Sequence, residues 1–246
     1  MRHLHTRHGV NPRLWVAAFT LVIAGAAVPT PNASVGGGFD WARVAEPDLE
    51  QYRAMRRMHA LAEKVNHEGW LDAWTEFDSR GFRYEIVAER GSGTVRNKVL
   101  KALLKREQEL IANGDFGRGE LTPENYEFGA ETDGNGVRYV LIKPKRKHVM
   151  LVDGRMVLSP AGELLRVEGL LAKNPSFWTT QVNVIRHYAR LDGVRVPIQT
   201  ESIAKVRFAG TSKLNMTYEY ETINNRAVTT EAPAVLARLG SASSGR

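Results

Sequence analysis

Between Phe82 and Glu89 apolar and polar positions alternate, with Phe82, Tyr84, Ile86 and Ala88 set against Arg83, Glu85 and Glu89. That two-residue period predicts a strand with one buried face. Trp70 to Phe77 precedes it across Ser79, Arg80 and Gly81, and the pair reads as a hairpin. The same period returns late in the chain. Val194, Val196, Ile198, Ala204, Val206 and Phe208 oppose Arg195, Gln199, Glu201, Lys205 and Arg207. Leu214, Met216, Tyr218 and Tyr220 then oppose Lys213, Asn215, Glu219 and Glu221. Pro197 must fall at a bulge or an unpaired position, because it cannot donate to a ladder. From Tyr126 to Asn225 strand-like runs are punctuated by Asp133-Gly134, Asp153-Gly154, Ala161-Gly162, Asp192-Gly193 and Ala209-Gly210, read as turns. Connections this short pair neighbouring strands antiparallel in a meander of roughly ten strands.

Two stretches carry a helical period instead. Leu49, Tyr52, Met55, Met58, Leu61, Ala62 and Val65 recur at helical spacing after Pro47 and Asp48, which predicts a first amphipathic helix ending near Asn66. Arg53, Arg56, Arg57 and Lys64 fall on its solvated side. A second helix is expected from about Thr94 to Asn113, capped by Ser92 or Thr94 and closed by Gly114. Its apolar side holds Val95, Val99, Leu103 and Leu110, widened by Leu100, Leu104 and Ile111. The expected fold class is mostly β with two helices (α+β): a strongly curved antiparallel meander sheet, an incomplete β-barrel, covered by the helices. Helices inside such a bend leave either a filled core or an apolar cleft, and the pattern is compatible with both.

The first residues change the picture of where the chain works. Arg2, Arg7 and Arg13 precede an apolar run from Leu14 to Val28, with Ala24-Gly25-Ala26 as a cleavage signal. This is the layout of a secretory signal peptide, and the run is short for a membrane span, the alternative being an uncleaved anchor. The expected organisation is a signal peptide over 1–26, a flexible lead-in over 27–46, a single domain over 47–225 and a flexible tail over 226–246. The chain has no cysteine, so neither a disulfide framework nor a lipid-attachment thiol is available. Without the three leader arginines, 31 Lys and Arg face 27 Asp and Glu, a net of +4. That modest charge argues against nucleic acid and allows only peripheral contact with an anionic membrane surface.

Candidate chemistry is sparse. His59, His67, His148 and His187 are scattered, and no metal-binding, nucleophile-elbow or phosphate-loop motif occurs, so neither metal, cofactor nor catalytic residue is expected. Gly91-Ser92-Gly93 reads as a helix cap more simply than as a phosphate cradle. The run Lys143-Pro144-Lys145-Arg146-Lys147-His148 reads as a solvated turn, with a head-group-binding tip as the alternative. Met55, Met58, Met150, Met156 and Met216 read as core filler or as the lining of an adaptable pocket. Phe177 and Trp178 follow a proline turn and serve either to plug the core or to meet a partner or a cleft mouth.

The order of elements, with the stretches Tyr139 to Lys143, Met150 to Gly162 and Tyr188 to Ile198, resembles the lipoprotein-localisation-factor superfamily, the outer-membrane lipoprotein carriers and sorting proteins, in an uncharacterised branch. The likeness is one of pattern and spans roughly Tyr52 to Asn225. It implies a non-enzymatic periplasmic protein whose half-barrel holds lipid or the acyl chains of a lipidated protein, as carrier or sensor. Tyr84, Ile86, Val196, Ile198, Val206, Phe208, Met216 and Tyr218 would line that interior. The alternative is a filled core acting as an interaction module of an envelope protein complex.

Overall fold

The computed structural model describes residues 49–115, 119–207 and 210–229. The expected signal peptide and lead-in, and nearly all of the expected tail, lie outside these residues. The first described strand lies inside the sheet, not at its edge. Strand β1 (Tyr52–Ala62) pairs antiparallel with β2 (His67–Asp78) on one side and with β10 (Gly210–Ile223) on the other. β3 (Gly81–Gly91) follows β2 as one edge. On the far side β9 (Val194–Val206), β8 (Thr179–Leu191), β7 (Leu164–Leu171), β6 (Val152–Leu158) and β5 (Val137–Pro144) lead to β4 (Tyr126–Gly134) at the other edge. The result is one open, strongly curved antiparallel sheet, as the alternating pattern predicts.

The first helix of the sequence reading is not formed. Tyr52–Ala62 is a strand, closed by a short 3-10 turn over Glu63–Val65 and by Asn66 in the left-handed region at φ 46°. The segment YRAMRRMHALA fits both periods, since Tyr52, Ala54, Met58, Ala60 and Ala62 are apolar at every second place. Its Ala, Met, Arg and Leu favour helix locally, but pairing on both sides at the centre of a sheet outweighs a propensity difference of a few tenths of a kcal/mol per residue. Among the described residues one helix therefore covers the sheet. It starts as α1 (Gly93–Val95), widens to a π turn over Arg96–Leu100 and runs on as α2 (Lys101–Ala112). Ser92 occupies the cap position with extended backbone, but its side chain makes no cap bond. Val95, Leu100, Leu103, Leu104 and Leu110 are buried, matching the expected stripe. Each contributes about 2 kcal/mol of burial.

The helix lies in the connection between the two sheet edges, β3 and β4, the one break in the meander. The core is the space between it and the concave face. The turns correct the sequence reading in two places. Asp133-Gly134 ends β4, and the turn falls at Asn135-Gly136, where φ values of 54° and 75° suit a tight hairpin. Asp153-Gly154 is no turn at all but the interior of β6. Gly154 faces Gly169 of β7, and a Cβ on Gly154 would stand 2.1 Å from the Glu168 carbonyl oxygen. Asp192-Gly193 is the turn expected, with φ 48° and 86°. Pro197 sits beside a register shift between β8 and β9, as a strand proline requires. Arg226 and Ala227, assigned to a flexible tail by the sequence, pair back onto β10 as β11, and the Thr229 hydroxyl donates to Asp192 Oδ1 at 2.9 Å.

Candidate functional site

The period of each strand decides what the concave face carries. Val196 and Ile198 of β9 are fully buried there, and Met216 and Tyr218 of β10 nearly so. Tyr84, Ile86 and Val206 are partly buried and pack against the same cluster. Phe208 lies outside the described residues. Met58, Met150, Met156 and Met216 are buried, whereas Met55 is half-buried on the opposite face of β1. Among the described residues these side chains form packed core. The inward hollow bounded by Leu121, Tyr126, Met150, Val167, Arg186 and Tyr188 has a volume of about 10 Å³.

That face is not purely apolar. Arg56, assigned to a solvated helix face by the sequence, falls in the buried phase of β1 between Ala54 and Met58 and is 1% exposed. Glu107, projecting from α2, meets it. Arg56 Nη1 donates to Glu107 Oε2 at 2.5 Å and Nη2 donates to Oε1 at 3.2 Å, a bidentate ion pair at the helix–sheet boundary. Arg56 Nη2 also reaches the Tyr52 hydroxyl at 3.5 Å, and the guanidinium lies 4.9 Å from the Tyr218 ring centre and 5.3 Å from that of Phe82. Burial by itself disfavours the Arg56 cation, but Glu107, Tyr218 and Tyr52 together favour it by more, so its pKa lies above the ordinary guanidinium value. Burial likewise pushes the Tyr52, Tyr218 and Tyr220 hydroxyls upward, so all three stay protonated. The helix is further held where Gln108 Nε2 donates to the Phe82 carbonyl at 3.1 Å.

A second arginine shares the concave face. β8 alternates Val182, Val184, Arg186 and Tyr188 inward, and Arg186 is 8% exposed. Its Nη1 donates to the Tyr188 hydroxyl at 3.4 Å. Neither arginine was legible as a site residue. For Arg186 the signal was present, since it occupies an apolar phase of its strand. For Arg56 it was hidden by the choice of a helical period.

The outer face is charged and wet. Arg155 and Arg166 flank Glu168, at 2.5 and 2.6 Å, and Arg53 bridges Glu76 and Glu221. A depression of about 520 Å³ crosses this side, with Leu141, Ile185 and Ile203 exposed at its walls. Phe177 is 73% exposed, with its ring edge-on to Trp178 at 5.4 Å and the Arg207 guanidinium 4.7 Å from its centre. Trp178 is half-buried, and Phe177 does not plug the core. Lys145, Arg146 and Lys147 are exposed between β5 and β6, as the turn reading has it. The Gly91-Ser92-Gly93 segment is tied to the backbone of β2, the Ser92 N–H donating to the Glu68 carbonyl at 2.7 Å.

His59 stacks on Trp70 at 4.5 Å, and His187 stands 3.9 Å from Glu201. Among the described residues no group of three metal-ligating side chains comes together, and no helix is long and apolar enough to cross a membrane.

No family model matches the chain, and no curated protein matches it. Among solved structures, the crystal structure of a DUF1329 family protein from Desulfovibrio piger is similar at a TM-score of 0.29 and 8% identity, over 70% of this chain and 86% of that one. A likeness this slight carries no conclusion about function.

Proposed function

We propose that this protein is a periplasmic, non-catalytic binding protein that holds lipid, or the acyl chains of a lipidated protein, between its curved sheet and its helix. The observation that supports the reading is the way the helix is attached. Among the described residues a mostly apolar concave face is covered by one helix, tied to the sheet by the buried Arg56–Glu107 ion pair. The described interior is packed, so the ligand-bound form requires the helix to lift and acyl carbon to replace its leucines. The exchange is balanced in kind: each methylene buried returns about 0.8 kcal/mol. Native mass spectrometry of the protein purified from envelope extracts, followed by incubation with a fluorescent acyl analogue, tests the reading. Co-purified lipid or saturable uptake supports it; ligand-free protein that takes up no analogue overturns it.

The exposure of Phe177 and the apolar outer depression favour a second reading, an interaction module of an envelope complex with a filled core. In that case Trp178→Ala abolishes capture of a partner while thermal stability barely changes. A large stability loss would assign Trp178 to structure and remove this version.

A further inference from the structure

The two concave-face arginines differ in one respect. Among the described residues Arg56 has a carboxylate partner and Arg186 does not. A guanidinium carries five N–H donors. For Arg186 the hydrogen bond from Nη1 to Tyr188 Oη, at a long 3.4 Å, is the one formed with the described residues. The groups acting electrostatically on it are the tyrosines Tyr188, Tyr218 and Tyr126. A charge buried in this way is costly unless something of opposite sign meets it.

The surroundings repeat the imbalance. The Tyr126 hydroxyl accepts the Val152 N–H at 3.0 Å, and the Tyr188 hydroxyl accepts from Arg186. Each phenol has thereby used an oxygen lone pair and kept its own proton to give, and no acceptor for either proton occurs among the described residues. Burial pushes the Tyr126 pKa up to about 12, so that proton stays in place. Arg186, Tyr126 and Tyr188 line one hollow together with Leu121, Met150 and Val167. The hollow is rich in donors and poor in acceptors, and its remaining walls are apolar.

We propose that the Arg186 hollow is a binding site for a monovalent carboxylate, which takes its charge-assisted bonds from Arg186 and from the Tyr126 and Tyr188 hydroxyls. Charge and size select the ligand. One guanidinium balances a single negative charge, not a phosphate dianion. A space of about 10 Å³ admits one water-sized group, the size of a single carboxylate oxygen. The acid comes either from a small free carboxylate or from the head of a fatty acid. The inference goes beyond acyl binding, since a short acid satisfies it as well.

Isothermal titration of the full chain in chloride-free buffer tests it with sodium acetate, sodium dodecanoate and dodecanol, on the parent protein and on Arg186→Gln and Tyr188→Phe. Tyr188→Phe removes only an oxygen, and circular dichroism checks the fold of both variants. The proposal expects carboxylate binding that weakens at least about tenfold in Arg186→Gln and less in Tyr188→Phe. Binding of both acids identifies a free carboxylate as sufficient. Binding of dodecanoate alone, weakened by the variants, identifies an acid-headed amphiphile. Equal binding of dodecanoate and dodecanol, unmoved by either variant, overturns the proposal while leaving acyl binding intact. Absence of carboxylate binding, or its displacement by chloride at matched concentration, also overturns it.

Discussion

Replacing Glu107 by glutamine leaves the Arg56 guanidinium buried without the carboxylate that balances it. Both side chains are almost sealed from solvent, at 1% and 2% exposure, so water offers little relief from the imbalance. Tyr52, at 3.5 Å, contributes a dipole and no charge. Breaking one side of such a pair costs about 3 to 5 kcal/mol. For a domain of this size each kcal/mol moves the melting temperature by about 2 to 4 °C, so Glu107→Gln should lower it by roughly 6 to 20 °C. The double variant Arg56→Met/Glu107→Leu removes both charges and fills the space with apolar atoms. It should recover to within about 1 kcal/mol of the parent or exceed it, because the desolvation of two ions is no longer paid. The assay is a urea double-mutant cycle with hydrogen exchange on the amides of Lys101–Ala112, which should lose protection in Glu107→Gln before the sheet does. A loss below about 1 kcal/mol for Glu107→Gln, or a double variant as unstable as the single, would refute the reasoning.

Three further outcomes are expected. Gly154→Ala drives a Cβ into the Glu168 carbonyl oxygen at 2.1 Å and against the Gly169 Cα at 2.7 Å, so it should cost about 3 kcal/mol in urea unfolding; parent-like stability would mean that β6 and β7 do not approach as described. Burial holds the His187 imidazole below its ordinary 6.5, with Glu201 opposing. The unfolded chain therefore takes up that proton first, and this contribution to stability is full above pH 6.5 and is lost as pH falls below it. His187→Gln should flatten the melting temperature between about pH 7 and pH 5, and an unchanged slope would count against it. Phe177→Ser should change stability by no more than about 0.5 kcal/mol, as checked by thermal melting, because the ring is 73% exposed.

The strands of the second half were legible because nothing competes with a two-residue period there. Val194 to Val206 and Leu214 to Tyr220 alternate under no rival pattern, and the left-handed Asp192-Gly193 turn fixes the register of the first of these with β8. β1 was illegible for a physical reason. Its apolar residues satisfy a helical and an extended reading at once, and the choice is made by pairing with β2 and β10 on either side of it in space, of which β10 is remote in sequence. That single misassignment also turned Arg56 from a core residue into a surface one. Asp153-Gly154 failed differently: glycine marks either a turn or a close backbone approach, and only the partner Gly169 tells which. Val196, Ile198, Met216 and Tyr218 are buried on the side to which alternation assigned them, whereas Glu107 sat among helix residues with nothing to reveal its partner.

The two buried arginines bear on how the sheet and helix divide their tasks. Packing alone would be served as well or better by apolar side chains at Arg56, Glu107 and Arg186, since desolvating an ion commonly costs more than its pairing returns. Arg56 and Glu107 instead give the helix contact a direction and a register that leucines alone do not, because a bidentate pair tolerates little rotation. The same pair makes the contact brittle, for a helix that lifts must separate both charges from each other or carry water in. Arg186, on the same concave face and within the electrostatic reach of Tyr218, which also lies under Arg56, stays donor-rich in the closed arrangement. An acid bound beside it would therefore bring negative charge to the face on which Arg56 is anchored, and would compete with Glu107 for the field of the two cations. Carboxylate binding should on this argument loosen the helix, so hydrogen exchange over Lys101–Ala112 should quicken in dodecanoate for the parent protein and stay unchanged for Arg186→Gln.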